Sequence, residues 1–376
     1  MKIITTILAL LLPILAMAAE STTDHLTLTA EPLQPGGEEV EVTVSLDGSR
    51  LYTGYEMDLT LPEGVDLCYY DGEPDVTMYM KDDCIYPYTD KRGQKIFTHG
   101  ITATYGDIAP RTVRVVCVSS SNENFRYTSG KLLTLYLRAS TYAKPGDVAL
   151  ALSNCKLATF DAETMTVTGY VPEQTFVGGL TVGTSATASL AVSPTVNWGT
   201  LMLPFPSALP DGVQAYSCSS HDSESLILSP VSSLQAFTPY IIYSASGYEG
   251  NLSGTVCAAD YPTEGILTSG YLRASVALQT LSSGYVMQKQ GIAAQFHRVA
   301  ADKPITIKPG KCWVELPSSL ASKGFLGVLV DGPNCIVPHA ADALGSSSTL
   351  HTLDGKPLQQ MRKGGIYITK GKKYTR

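Results

Sequence analysis

Tyrosines and carboxylates are the residues of this chain whose types and spacing fit a chemical task. Between residues 69 and 88 stand Tyr69, Tyr70, Tyr79, Tyr86 and Tyr88, interleaved with Asp71, Asp75, Asp82 and Asp83. Flat aromatic faces stack on the C–H faces of sugar rings, and carboxylates accept hydrogen bonds from sugar hydroxyls. The same tyrosine-rich chemistry serves protein interfaces. The five tyrosines are therefore the candidate ligand-binding residues. The plainer alternative is that they pack along strand edges as the rim of a core.

Signatures of catalysis are missing. The sequence has no G-x-S-x-G elbow, no H-E-x-x-H pair and no phosphate-cradling G-x-x-x-x-G-K. The six histidines are scattered. His221-Asp222-Ser223 carries the letters of a hydrolase triad, but adjacent residues cannot aim their side chains into one chain of hydrogen bonds, so it reads as a surface turn. Glycoside hydrolysis needs two carboxylates about 5–10 Å apart across a cleft, and no pattern singles out such a pair. Asp82-Asp83 lacks the twelve-residue loop and central glycine of a calcium site. The expectation is a non-enzymatic protein with no cofactor and no metal.

The elements that would carry these residues are strands. Charged residues make up 16% of the 376 positions, below the roughly 25% of an average soluble protein. Gly (33) and Pro (22) are frequent turn formers, and Tyr (21) outnumbers Phe (8). That composition excludes a coiled coil, a helical bundle and a charged disordered chain. Val40-Glu41-Val42-Thr43-Val44-Ser45-Leu46 and Tyr55-Glu56-Met57-Asp58-Leu59-Thr60-Leu61 alternate apolar and polar residues, the period of a half-buried strand. Turns punctuate them at Pro35-Gly36-Gly37, Pro62-Glu63-Gly64 and Pro145-Gly146. Further strands are predicted at 24–31, 74–80, 95–102, 112–119, 131–139, 147–158 and 165–182. A second set is predicted at 196–203, 213–219, 225–231, 239–244, 252–258, 283–288, 292–299, 304–308 and 312–316. The fold class is all-β: two consecutive antiparallel β-sandwiches of jelly-roll type.

The first residues read as a secretory signal. Lys2 gives the positive start, Ile3 to Met17 the apolar run, and Ala16-Met17-Ala18 the small residues before the scissile bond, so cleavage is expected after Ala18. The run is short for a membrane span and Pro13 interrupts it, so no stable span is expected. In an oxidising compartment an even cysteine count favours disulfides. The eight candidates are Cys68, Cys84, Cys117, Cys155, Cys218, Cys257, Cys312 and Cys335. None forms a C-x-x-C pair, and the pairing within each domain stays open among three connectivities.

The domains then fall as a signal peptide at 1–18, a first sandwich at 19–182, a linker at 183–187, a second β-rich domain at 188–337, a spacer at 338–348 and a C-terminal tail at 349–376 that ends in a short β-hairpin. From Leu350 onward seven Lys and Arg face one acid, Asp354, a net of +6. The whole chain is −7, so the part between Lys2 and Leu350 carries −14. An acidic body argues against nucleic acid as a partner.

Three segments of the first domain resemble the cohesin family, a β-sandwich related to some carbohydrate-binding modules. They are Gly36-Gly37-Glu38-Glu39-Val40-Glu41-Val42-Thr43-Val44, Gly54 to Val65, and Gly130-Lys131-Leu132-Leu133-Thr134-Leu135-Tyr136-Leu137-Arg138-Ala139. The resemblance implies a binding module for a dockerin-like protein, and its kinship with carbohydrate-binding modules implies a glycan as the other partner. Trp198-Gly199-Thr200-Leu201-Met202-Leu203-Pro204-Phe205 and Phe296-His297-Arg298-Val299 resemble an uncharacterised β-rich module of bacteria that use type IX secretion. Leu353-Asp354-Gly355-Lys356 and Gly364 to Lys373 resemble the end of a type IX sorting domain. That implies contact with secretion machinery and a secreted or cell-surface location, reached through the periplasm. The alternative expectation is a structural or adhesive surface protein whose β domains act as spacers or assembly units.

Overall fold

The computed structural model describes residues 19–78, 85–87, 92–94, 98–221, 225–290, 293–316 and 324–330, with four short strand segments beyond residue 349. The expected signal peptide and the Asp82-Asp83 loop lie outside the described residues, as does all of His221-Asp222-Ser223 but its histidine. The chain divides into two compact units. The first holds residues 1–189 together with Pro204–Pro206 and Asn251–Thr263; the second holds the remainder.

The strands of the first unit are, in chain order, β1 (Ala19–Ser21), β2 (His25–Ala30), β3 (Val40–Asp47), β4 (Gly54–Thr60), β5 (Val65–Leu67), β6 (Tyr69–Tyr70), β7 (Glu73–Pro74) and β8 (Val76–Met78). They continue with β9 (His99–Tyr105), β10 (Thr112–Ser119), β11 (Gly130–Ala139), β12 (Gly146–Val148), β13 (Ala151–Asp161), β14 (Thr166–Val171), β15 (Phe176–Val177) and β16 (Leu180–Val182). One six-stranded sheet runs β1-β14-β13-β4-β10-β9. A second runs β15-β2-β3-β11-β5, with β8 also paired to β11. The alternating sequences explain the layering. Val42, Val44 and Leu46 of β3 and Leu133, Leu135 and Leu137 of β11 face Tyr55, Met57 and Leu59 of β4 and Val113 and Val115 of β10 in one continuous core. This is a β-sandwich, as the alternation predicts. Its edges depart from antiparallel pairing: β1 runs parallel to β14, and β15 parallel to β2.

A strand begins inside the stretch expected as a linker, 183–187. Ser185–Val192 is a strand that buries Ala186, Ala188, Leu190 and Val192 at every second position. Small residues made the stretch read as flexible, but their period of two gives them a buried face.

The second unit is also built of strands. Ten of them form one sheet in the order Trp198–Leu201, Tyr240–Tyr243, Gln214–His221, Ser225–Val231, Phe325–Val330, Ala293–Arg298, Tyr285–Gln290, Cys312–Val314, Leu272–Ala274 and Leu267–Ser269. Ser225–Leu228 and Gly327–Val330 pair in parallel. The sheet curls back on itself, so that the backbone N–H of Tyr271 donates to Cys218 O at 2.8 Å. Tyr216, Cys218, Ile241, Tyr285, Phe296 and Val314 fill the enclosed face. In the tail, Ile366–Thr369 and Lys372–Thr375 form an antiparallel hairpin.

The disulfide expectation is overturned at the six described cysteines. Cys68, Cys117, Cys155, Cys218, Cys257 and Cys312 are all free thiols. Cys117 and Cys155 show why. They lie on β10 and β13, on opposite sides of β4, which puts them about two strand spacings, or 9–10 Å, apart. A disulfide needs Cα atoms within about 7 Å. Both act as small core residues, and burial pushes each thiol up to about 12. Cys84 and Cys335 lie outside the described residues.

Candidate functional site

The chain turns on itself after β5. Cys68 N–H donates to Tyr136 O at 2.8 Å, and Asp75 N–H donates to Cys68 O at 2.9 Å. Between them β6 and β7 pair as a minimal hairpin, Tyr69 opposite Pro74 and Tyr70 opposite Glu73. Its turn residues are Asp71 (φ 50°) and Gly72 (φ 84°). Two successive left-handed residues define the type I′ turn, and Asp-Gly is among the sequences that adopt it most readily. The turn closes the two-residue loop and projects its tyrosines. Tyr70 is 77% exposed and Tyr69 is 52% exposed.

A small scaffold backs the hairpin. The Tyr69 ring meets Tyr105, the last residue of β9, edge to face with centroids 6.4 Å apart. Burial raises the Tyr105 hydroxyl above its ordinary pKa against the opposing pull of Arg111, so that phenol stays neutral. Arg111 has a left-handed backbone (φ 61°). Its guanidinium donates to the carbonyls of Leu61, Pro62 and Val65 and sits 3.5 Å from an Asp66 carboxylate oxygen. One side chain thus ties the β4–β5 turn, which leads into the hairpin, to the β9–β10 turn, which follows Tyr105. Ile108, in that second turn, is exposed as well.

The five tyrosines separate. Tyr69 and Tyr70 stand together at the surface. Tyr86 is a core residue at 1% exposure and is withdrawn as a ligand contact. Its hydroxyl donates to Leu132 O at 2.6 Å and lies 2.9 Å from the Tyr55 hydroxyl, and its ring meets Phe125 and His99. A tyrosine whose hydroxyl finds two internal partners has no reason to reach solvent. Tyr79 and Tyr88 lie outside the described residues. Tyr105 and Arg111 complete the site, and neither stood out in the sequence because their partners are distant along the chain.

A second polar constellation lies on the outer face of β4. Arg114 holds Asp58 with two bonds of 2.7 Å. Asn154 donates to Glu56 at 3.2 Å and to Asp58 at 3.3 Å. Glu56 is 2% exposed and Asp58 6% exposed. Asn154 reaches both from a bulge in β13 at a left-handed φ of 46°. One arginine and one amide thus hold both carboxylates, and the network braces β4 against β10 and β13. Among the described residues no group of three or more His, Cys, Asp or Glu is arranged to hold a metal ion. No helix among them is long and apolar enough to cross a membrane.

No protein-family profile matches the chain, and no curated protein matches it. Among solved structures, a non-cellulosomal cohesin from the hyperthermophilic archaeon Archaeoglobus fulgidus is similar, with 14% identity and a TM-score of 0.27, over 42% of this chain and 91% of that one. The sandwich of the first unit stands on its own strand pairing rather than on that likeness.

Proposed function

We propose that this is an exported, non-catalytic recognition protein, secreted or held at the cell surface, whose first unit grips a protein partner through the Tyr69–Tyr70 hairpin. The observation that carries the reading is the exposure of two adjacent tyrosines on a turn of fixed geometry, backed by Tyr105 and the Arg111 tie. Tyrosine supplies large contact area at low entropic cost, and a preordered loop loses little freedom on binding. The cohesin-like strand motifs point the same way, toward a dockerin-like partner, and the signal-like start and the cationic tail support export.

The test is a binding panel of dockerin domains beside a glycan array, with the wild-type chain and a Tyr69→Ala/Tyr70→Ala double variant compared. Protein binding that weakens at least about tenfold in the double variant supports the reading, since anchors of this type carry most of an interface's energy. Binding that survives the double variant removes the hairpin from the contact. Silence across both panels favours the structural reading, in which the two β units act as spacers.

A further inference from the structure

The second unit carries a different aromatic feature, set by register rather than by sequence proximity. Trp198 lies directly opposite Tyr243, and Tyr243 directly opposite Gln214. The three residues therefore form one row across three neighbouring strands. Direct cross-strand neighbours share a face. The row spans about 10 Å, two strand spacings. The Trp198 and Tyr243 rings have centroids 4.7 Å apart, and Tyr216, one position further along the face, lies 5.8 Å from Trp198. Trp198 and Tyr243 pack on the rim of the core beneath them while remaining partly open to solvent, and Gln214 is exposed. The row sits where the enclosed face of the curled sheet meets water.

Its polar groups are left over. Tyr216 spends its hydroxyl on Gln214 Oε1 at 2.7 Å, which fixes the amide and turns its NH₂ group away. Among the described residues, the Trp198 indole N–H, the Tyr243 hydroxyl and the Gln214 NH₂ have no protein hydrogen-bond partner. The three strands, WGTL, YIIY and QAYSCSSH, contain no Lys, Arg, Asp or Glu. Neighbouring Asn197 is already committed, donating to Ser244 O at 2.9 Å and Ala245 O at 2.8 Å, and so ties the turn that ends the row.

We propose that the Trp198–Tyr243–Gln214 row is a binding site for a neutral glycan, separate from the hairpin of the first unit. A pyranose has an apolar C–H face and a rim of hydroxyls. Two aromatic faces take the first, and three unspent donors, one of which also accepts, take the second. Absence of charge along the row excludes the ion pairing that an acidic polysaccharide or a phosphate needs. Mouths of curled sheets are a common place for such sites.

Affinity electrophoresis of the full chain in gels holding a soluble β-glucan, a galactomannan or a xylan tests the site, with hyaluronate as the charged control. The expected result is retardation by at least one neutral polysaccharide and none by hyaluronate. Trp198→Ala weakens it at least about tenfold, while Gln214→Glu, which keeps the oxygen that accepts from Tyr216 and removes the NH₂ donor, and Tyr243→Phe weaken it severalfold and leave the thermal melt unchanged. The Tyr69→Ala/Tyr70→Ala variant retains full retardation, which separates this site from the hairpin. No retardation by any of the three polymers overturns the proposal. So does retardation that Gln214→Glu and Tyr243→Phe leave untouched, because those variants each remove a donor of the row and keep the packing beneath it.

Discussion

Arg114 and Asp58 meet through two hydrogen bonds of equal length, 2.7 Å each, on a sheet face where Asp58 is almost wholly sealed from water. The paired geometry matches the planar fork of guanidinium to the carboxylate. Hydrogen bonding by Asp58 comes first among the causes that raise the arginine pKa. Such a pair adds little over an apolar replacement, but removing one partner strands the other. Arg114→Met is therefore expected to cost about 3–5 kcal/mol, since it leaves both Asp58 and Glu56 without their cation. Asp58→Asn should cost less, because the amide still accepts one bond and carries no charge. Urea denaturation of the two variants checks the order, and an Arg114→Met cost below that of Asp58→Asn would contradict it.

Acid exposes a different weak point. His99 is buried among Tyr86 and Phe125, and its ring nitrogens bond Thr98 Oγ1 at 3.0 Å and Thr53 O at 3.1 Å. Burial holds its pKa down to about 4. The folded protein thus refuses a proton that the unfolded chain accepts near 6.5. Stability is full above 6.5 and falls as pH drops toward 4, by at most about 3 kcal/mol. Asp24 acts lower. Burial pushes its pKa up, but hydrogen bonds from Tyr52 and Ser49 outweigh that and hold it below its ordinary value. Its contribution is present above the unfolded value near 3.8 and fades below it. Thermal melts from pH 7 to 4.5 should decline in the wild type and decline less in His99→Gln. Equal slopes would show that another group titrates.

Two glycines of similar backbone geometry separate conformational strain from crowding. Gly36 (φ 67°) follows Pro35 in a turn, and a Cβ there would lie 1.9 Å from Thr187 O and 2.6 Å from Thr141 Oγ1. Gly72 (φ 84°), in the tyrosine hairpin, has nothing within 4 Å of such a Cβ. Gly72→Ala pays only for the left-handed backbone, about 1–2 kcal/mol. Gly36→Ala must also displace a backbone carbonyl and is expected to cost clearly more. Chemical denaturation of both variants measures the difference. Similar losses would mean that the Thr187 backbone yields freely.

Much of this architecture was legible in the alternation of side chains. Thr112–Ser119 and Ser225–Val231 fall on their predicted bounds, and their buried residues Val113, Val115 and Cys117, and Leu226 and Leu228, recur at every second position. The strand expected at 252–258 lies instead at Tyr248–Thr255, where Gly250 and Gly254 dilute the pattern. Ser185–Val192 escaped because serine and alanine read as flexible until their partners are known. The sites were less legible. Aromatic content marked the region around residue 70 but could not tell Tyr70, which faces water, from Tyr86, whose two hydroxyl partners draw it inside. Arg111 works through carbonyls 46–50 residues away. The Trp198 row arises only from the pairing of three strands.

The thiols offer the sharpest separation between a disulfide-stapled protein and one held by its core. Cys257 is exposed, whereas Cys117, Cys155, Cys218 and Cys312 are buried, and burial pushes each of these four up to about 12. A thiolate is the reactive species, so a sealed thiol with so high a pKa is nearly inert at neutral pH. Cys312 is further held by its Sγ contact to Tyr240 O at 3.8 Å. Iodoacetamide at pH 8 is expected to label Cys257 within minutes and the four core cysteines only after denaturant is added, with no reductant needed. Peptide mass spectrometry reads each site separately. If any of those four became alkylatable only after reduction, its unit would owe part of its stability to a cross-link and would not be held by a free-thiol core.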